Sequence, residues 1–207
     1  MKDVAEHSPD QIWCGGDLGW LGPHATECIA YVREAGWATV KGNTDVWIAG
    51  DPQTVESEED RQHHKEVAAQ HNISDDDARW LVSLPIGHSG PGSLLMVHGT
   101  PDSPFTAPFP DEPPAAFTPY EGKAALVVFG HVHVAFVRQL PDGTVVANPG
   151  SVGLPADGRN ASYMLVDQHG SGWTIRHRRV EFDVASVLEQ ARAFGGRAGE
   201  RFVDLLQ

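Results

Sequence analysis

Four apolar stretches of the sequence each end in a side chain that can bind a metal. Asp17 follows "WCGG", Asn43 follows "TVKG", His98 follows "LMV" and His131 follows "VVFG", and His133 comes two residues later. A carboxylate, an amide oxygen and imidazoles suit a borderline divalent ion such as Mn²⁺, Fe²⁺, Zn²⁺ or Ni²⁺. Because strands of an α/β sheet bring their C-terminal ends to one crevice, this pattern predicts a shared metal site.

Each of these residues also has an ordinary structural interpretation. Asp17 could be a turn residue or a helix cap, and Asn43 could be a left-handed turn residue after a glycine. His98 could be a hydrogen-bonded histidine near the core. His131 and His133 could form the polar face of a continuing strand, since residues i and i+2 share a side. Taken singly these interpretations are favoured, but their joint occurrence at four strand ends favours the metal site.

The same positions carry a resemblance to a known family. The segments "GD" at 16–17, "GNTD" at 42–45, "HG" at 98–99 and "GHVH" at 130–133 resemble the motifs of the calcineurin-like metallophosphoesterases. "VANPGSVGLP" and "ASYMLVD" extend the resemblance over nearly the whole chain, and the small bacterial phosphodiesterase branch is the most similar. The resemblance implies a layered α-β-β-α sandwich with mixed sheets. It also implies hydrolysis of phosphodiesters or small phosphorylated metabolites at a binuclear metal centre.

The resemblance implies a role for each candidate residue. Asp17 would bridge two divalent ions, which in this family could be Mn, Fe, Zn or Ni. Asn43, His98 and His131 would complete the shell of the second ion, and His133 would serve the first. Asn43 would also bind substrate, because its amide N–H can be donated to a phosphate oxygen.

Two features depart from the family pattern. The D-x-H motif that ends the family's first strand has no counterpart, and His7 cannot replace it because no aspartate lies two residues before it. We therefore expect the first strand to be missing, residues 1–207 to form a single N-terminally incomplete domain, and the first ion to bind weakly. Many members have a histidine where Thr44 stands. That histidine assists the leaving group and is oriented by the next acid, here Asp45, outside the direct metal shell. Threonine cannot act as an acid near pH 7.

The coarse order of elements is typical of an α/β fold with a mixed sheet. Four strands alternate with helices, two hairpins turn at "PDGT" and "QHGSG", and one helix closes the chain. A Pro-rich loop at 99–122 either shapes the pocket or covers the core with its aromatic side chains. The predicted strands lie at 11–16, 37–43, 93–99 and 124–129, and the predicted helices at 25–36, 74–85 and 182–194.

Two groups of residues are assigned no chemistry. The segment 57–71 contains His63, His64 and His71 and is interpreted as a solvated helix face. Cys14 and Cys28 are interpreted as buried thiols in a reducing cytosol.

Composition limits the classes of function. The formal net charge of −13 disfavours a nucleic-acid-binding protein, although bound cations could still admit an anionic substrate. No apolar stretch approaches the roughly 20 residues of a membrane span, and the N-terminus has no secretory signal. We therefore expect a cytoplasmic phosphoesterase that acts on a small phosphorylated substrate and binds no membrane, with low turnover in this chain because the D-x-H motif is missing and Thr44 stands in place of the histidine. The alternative is a catalytically impaired protein of the same fold that serves as an interaction or regulatory module. The oligomeric state is not predicted.

Overall fold

The computed structural model describes residues 1–51, 57–170 and 172–207, and these contain nine strands. The strands are β1 (Trp13–Cys14), β2 (Ala38–Thr39), β3 (Gly87–Gly90), β4 (Leu94–Val97), β5 (Leu126–Phe129), β6 (Ala135–Gln139), β7 (Val145–Pro149), β8 (Ala161–His169) and β9 (Gly172–Val180). The helices are α1 (Lys2–Glu6), α2 (Ala25–Ala35), α3 (Asn43–Ile48), α4 (Glu58–His71), α5 (Asp75–Ser83), α6 (Val184–Phe194) and α7 (Gly196–Leu206), with one 3₁₀ helix at Pro114–Tyr120.

The central sheet has five strands in the order β3-β4-β5-β7-β6. β4, β5 and β7 run parallel, and antiparallel β3 and β6 form the two edges. The sequences of β4 and β5, "LLMV" and "LVVF", are continuously apolar, as expected for strands covered on both faces. The predicted mixed α/β fold with a central mixed sheet is confirmed.

Two smaller pairs of strands complete the β structure. β1 and β2 pair in parallel, and β8 and β9 form a long antiparallel hairpin. The two hairpins predicted from their turn residues are therefore confirmed, the first joining β6 to β7 and the second joining β8 to β9. β1 and β2 have two residues each and are shorter than the segments predicted for them.

The Pro-rich loop at 99–122 is partly structural. Its 3₁₀ helix buries Phe117 and Tyr120 completely in the core under the central sheet. The Tyr120 ring stacks on Phe129 of β5 with centroids 4.9 Å apart, and its hydroxyl donates to the Gly99 carbonyl. Phe109 is exposed. Most of this loop's aromatic area therefore covers the core.

Two interpretations from the sequence need correction: that of segment 57–71 as a solvated helix face, and that of both cysteines as buried thiols. His71 is buried on α4, where its ring stacks on Phe194 of α6, and His64 is half-buried and stacks on Trp47 of α3 at 4.2 Å. The interpretation of 57–71 as a solvated face was wrong for these two residues, because α4 packs against α3 and α7. Cys28 lies on the outer side of α2 and is exposed, whereas Cys14 is half-buried, and both are free thiols.

The helix boundaries were predicted better where capping residues mark them. α5 begins after Ser74, whose hydroxyl accepts from the Asp77 amide as predicted, and α6 falls within the predicted closing helix. A second closing helix, α7, was not predicted. It begins at Gly196, directly after Gly195, and both glycines have positive φ, which lets the chain turn between the two helices. No helix in the described part of the chain is long and apolar enough to cross a membrane.

The burial of His71 predicts a pH dependence of stability. Burial lowers the pKa of His71, so the unfolded chain binds the proton more readily than the folded chain. The stabilising contribution is complete above the ordinary histidine pKa of about 6.5 and is lost as the pH falls below that value and through the lower pKa of the folded chain. His71→Gln should therefore weaken the decline of the unfolding free energy between about pH 7 and 5, as measured by urea denaturation. His169→Gln, at an exposed position, should leave it unchanged, and equal effects of both changes would contradict this assignment.

Candidate metal centre

Each predicted ligand lies at or just beyond the C-terminal end of a strand. Asp17 follows β1, and Asn43 is the first residue of α3 after β2. His98 directly follows β4, and His131 and His133 follow β5. Because β1 is parallel to β2 and β4 is parallel to β5, each pair of strands delivers its residues to one edge. The strand ends thus explain how residues distant in sequence come together.

The polar atoms of four of these side chains converge. Asn43 Oδ1 lies 3.0 Å from His98 Nε2 and 2.9 Å from His131 Nδ1. The two imidazole nitrogens are 3.3 Å apart, and Asp17 Oδ2 lies 3.4 Å from His98 Nε2. His133 Nε2 is more distant, 3.8 Å from Asp17 Oδ2. All five predicted ligands therefore meet, with Asp17 between His133 and the other three.

The loops that carry these residues adopt a backbone conformation unfavourable for their residue types. Asp17, His131 and His133 have φ of 58°, 64° and 57°. The left-handed region costs roughly 1–2 kcal/mol for a residue with a Cβ. A Cβ at Gly42 would lie 2.1 Å from Asp17 Oδ1, so only glycine allows the second loop to approach the first. Such strain is typical of functional sites that the surrounding structure holds in place.

Two backbone carbonyls fix the orientation of the imidazoles. His98 Nδ1 lies 2.7 Å from the Gly15 carbonyl, and His133 Nδ1 lies 2.9 Å from the Leu154 carbonyl. Since a carbonyl only accepts, both Nδ1 atoms are the donors, and in the neutral rings Nε2 carries the lone pair. Both lone pairs therefore face the carboxylate of Asp17. Sequence reasoning missed the two carbonyls, since backbone atoms carry no residue-type signal.

The electrostatics of the cluster follow from burial and mutual contact. Burial alone would raise the pKa of Asp17, but His98 and His133 hold it well below its usual range. Burial and the neighbouring His98 lower the pKa of His131 to about 4, so this ring is neutral at pH 7. The neutral His131 ring thus lies beside a carboxylate and an amide oxygen, whereas contact with Asp17 raises the pKa of His133 despite its burial.

Asp45 is hydrogen-bonded to both of the loops that carry Asp17 and Asn43. Its carboxylate accepts from the amides of Gly42, Asp17 and Leu18 at 2.7, 3.0 and 2.9 Å. Burial and the charge of Asp17 raise its pKa to about 6. Thr44, beside it, donates its backbone N–H to Asp17 Oδ1, while its buried hydroxyl has no hydrogen-bond partner among the described residues. Asp45 therefore joins the loop of Asp17 to the loop of Asn43.

The donor set fits a divalent ion in its chemistry. Two ligands bound to one ion at about 2.1 Å stand about 3.0–3.4 Å apart in octahedral or tetrahedral geometry, a range comparable to the separations here. Within residues 1–51, 57–170 and 172–207, no three or more His, Cys, Asp or Glu side chains are arranged as a ready metal cage. The converging set has an amide oxygen, that of Asn43, among its central donors.

An aromatic group that was not predicted flanks the centre. Trp20 comes three residues after Asp17, and Trp47 lies one helical turn after Asn43. Their rings are 5.5 Å apart, and His64 contacts both. The sequence signal that could have found this group is the short spacing of each tryptophan from a candidate ligand, three residues from Asp17 and four from Asn43. This group packs the end of α3 against α4.

Comparison with known proteins agrees with the fold. The sequence profile of the calcineurin-like phosphoesterase superfamily domain matches residues 1–171, and the chain belongs to this superfamily. It is 28% identical over 213 residues to an uncharacterized protein of Methanocaldococcus jannaschii, covering 92% of this chain and 84% of the relative.

Solved structures show the same fold. A metallophosphoesterase from Sphaerobacter thermophilus superposes with a TM-score of 0.75 at 26% identity, covering 99% of this chain and 92% of that one. A hypothetical protein from Pyrococcus horikoshii OT3 gives a TM-score of 0.76 at 20% identity, covering 99% of this chain and 88% of that one, and supports the fold alone.

Proposed function

We propose that this protein is a metal-dependent phosphoesterase that hydrolyses phosphodiesters or small phosphorylated metabolites with two divalent ions, drawn from Mn, Fe, Zn and Ni. The observation that carries the proposal is the cluster of Asp17, Asn43, His98 and His131, whose donor atoms lie 2.9–3.4 Å from their neighbours. Membership of the phosphoesterase superfamily supports it. With a net charge of −13, the chain needs bound cations to attract an anionic substrate.

The residues divide between the two ions. Asp17, Asn43, His98 and His131 would hold the second ion, and Asp17 with His133 would hold the first. When bound, such a pair of ions clamps phosphate oxygens and makes a nucleophile available from water near pH 7.

The chain's own groups orient the reaction. The Gly15 and Leu154 carbonyls hold His98 and His133 with their Nε2 atoms toward Asp17. The Asn43 side chain keeps its oxygen on the two histidines, which leaves its N–H₂ group to donate to a phosphate oxygen. Thr44 carries no group that protonates a leaving oxygen near pH 7.

The two ions should differ in affinity. Four described side chains converge for the second ion, whereas the first has Asp17 and His133, whose nearest atoms are 3.8 Å apart. Metal sites in proteins commonly use three or more protein ligands. Titration with Mn²⁺ should therefore resolve one tight and one weak event, and turnover should follow the weak one.

His131→Ala should weaken the tight event, because it removes one of the four converging donors. We expect the Mn²⁺ dissociation constant to rise by more than about tenfold, measured by isothermal titration calorimetry. His169→Ala is the matched control, since it makes the same change at an exposed hairpin residue. Equal losses in both variants would contradict the site.

Hydrolysis of bis(p-nitrophenyl) phosphate with excess Mn²⁺ tests the function itself. We expect turnover that EDTA removes and that His133→Ala reduces, while His169→Ala leaves it intact. The second candidate function is a catalytically impaired interaction or regulatory module, favoured by the two-residue set of the first ion and by Thr44. Tight metal binding without turnover of any phosphate ester would support that alternative.

A further inference from the structure

His133 is held by the segment that follows β7, in residues 154–157. His133 Nδ1 donates to the Leu154 carbonyl at 2.9 Å, and the Ala156 N–H donates to the His133 carbonyl at 3.0 Å. A third bond runs from the Ala135 N–H to Asp157 Oδ2 at 2.7 Å. This segment thus contacts the His133 ring, the His133 carbonyl and the amide two residues later.

Asp157 is in turn held from the hairpin β8–β9. Arg179 of β9 donates from Nη1 to Asp157 Oδ1 at 2.6 Å, and a second contact joins Arg179 Nη2 to Asp157 Oδ2. A paired fork of this kind fixes direction as well as distance. The Asp157 side chain is only 17% exposed, and its hydrogen bonds with Arg179 keep its pKa below the usual range.

The backbone of His133 needs such support. With φ at 57°, it has a conformation that residues with a Cβ rarely adopt. The contact from Ala135 N to Asp157 fixes the chain two residues later, at the start of β6. If Asp157 released this amide, His133 could relax and its Nε2 would turn away from Asp17.

We propose that Asp157, clamped by Arg179, is a positioning residue that holds His133 toward Asp17. The role of His133 as a ligand rests on the proposed function, whereas its orientation by Asp157 does not. The hairpin β8–β9 thereby takes part in forming the site, although it contributes no ligand. Asp157 touches neither substrate nor ion and acts only through His133.

Two variants, Asp157→Ala and Asp157→Asn, distinguish the contacts of Asp157 with Ala135 and Arg179 from general packing. Asparagine retains an oxygen for the Ala135 N–H but loses the charge paired with Arg179. Asp167→Ala is the matched control, because Asp167 pairs with Arg176 in the same hairpin at 2.9 Å, and among the described residues its side chain makes no hydrogen bond to the site loops. In metal-free protein, long-range ¹H–¹⁵N spectra report the tautomer of His133. We expect a fixed Nδ1–H form in the wild type and in Asp167→Ala, and averaging of both forms in Asp157→Ala.

Metal titration gives the second readout. In Asp157→Ala the weak Mn²⁺ event should lose about tenfold in affinity while the tight event stays within about twofold, and Asp157→Asn should recover most of the loss. A wild-type His133 tautomer in Asp157→Ala, or the same loss in Asp167→Ala, would overturn the proposal. If wild-type protein bound no metal, the proposed function would fail, and the tautomer measurement would still decide the role of Asp157.

Discussion

Asp17→Asn is expected to reduce both metal binding and hydrolysis more than any other single change. Asparagine tolerates the left-handed backbone at φ 58° and keeps an oxygen for the Thr44 N–H, so the loop geometry is preserved. What is lost is the negative charge that lies between His133 and His98. We expect a fall of more than about 100-fold in Mn²⁺ affinity, since losing a ligand exceeds the 10–100-fold effect of losing its hydrogen-bond partner.

Calorimetry and the bis(p-nitrophenyl) phosphate assay measure the two losses. Asp167→Asn provides the control, because it also neutralises an aspartate, one whose side chain is 47% exposed in a pair with Arg176. Near-UV circular dichroism checks that both variants keep the native packing. Metal affinity and turnover of Asp17→Asn within a few-fold of the wild type would rule out a bridging role for Asp17.

The second large effect concerns the leaving group. A positioned general acid contributes typically about 10²–10⁴-fold, and Thr44 provides none. The logarithm of kcat/KM should therefore fall steeply as the leaving-group pKa rises. Esters of nitrophenol should be cleaved more than about 10³-fold faster than matched alkyl esters. A flat dependence across a series of aryl and alkyl phosphodiesters would show that another residue donates the proton.

The variant Thr44→Val tests whether the threonine hydroxyl takes part in the reaction. Valine matches the shape of threonine and removes a buried hydroxyl that has no partner in the described structure. Because an unpaired buried hydroxyl is unfavourable, the variant should be more stable by about 1 kcal/mol in urea denaturation. Its nitrophenyl ester hydrolysis should match the wild type. A large loss of turnover in Thr44→Val would assign the hydroxyl a direct part in the reaction.

The convergence of the candidate ligands could be predicted from sequence because its signal is local and repeated. Each of Asp17, Asn43, His98 and His131 follows a short apolar run, and parallel strands must bring such ends together. The features that could not be predicted depend on the backbone atoms that the side chains contact. The carbonyl of Leu154 orients His133 across 21 residues of sequence, and no residue type marks that carbonyl.

The wrong predictions of burial have a similar origin, because burial depends on contacts between residues that are distant in sequence. His71 looks polar in a charged helix, yet it is buried against Phe194 of α6, 123 residues later in the chain. Cys28 lies beside buried Ile29 in sequence but faces outward on α2. Hydrophobic periodicity identifies the elements, whereas helix-to-helix packing decides which polar positions are covered.

The most direct test of the metal centre is anomalous X-ray diffraction from crystals grown with Mn²⁺. We predict an anomalous peak within about 2.0–2.3 Å of Asp17 Oδ2, Asn43 Oδ1, His98 Nε2 and His131 Nδ1. A second, weaker peak should lie between Asp17 and His133. Crystals with Mn²⁺ bound only elsewhere, and with no peak among these four side chains, would contradict the account.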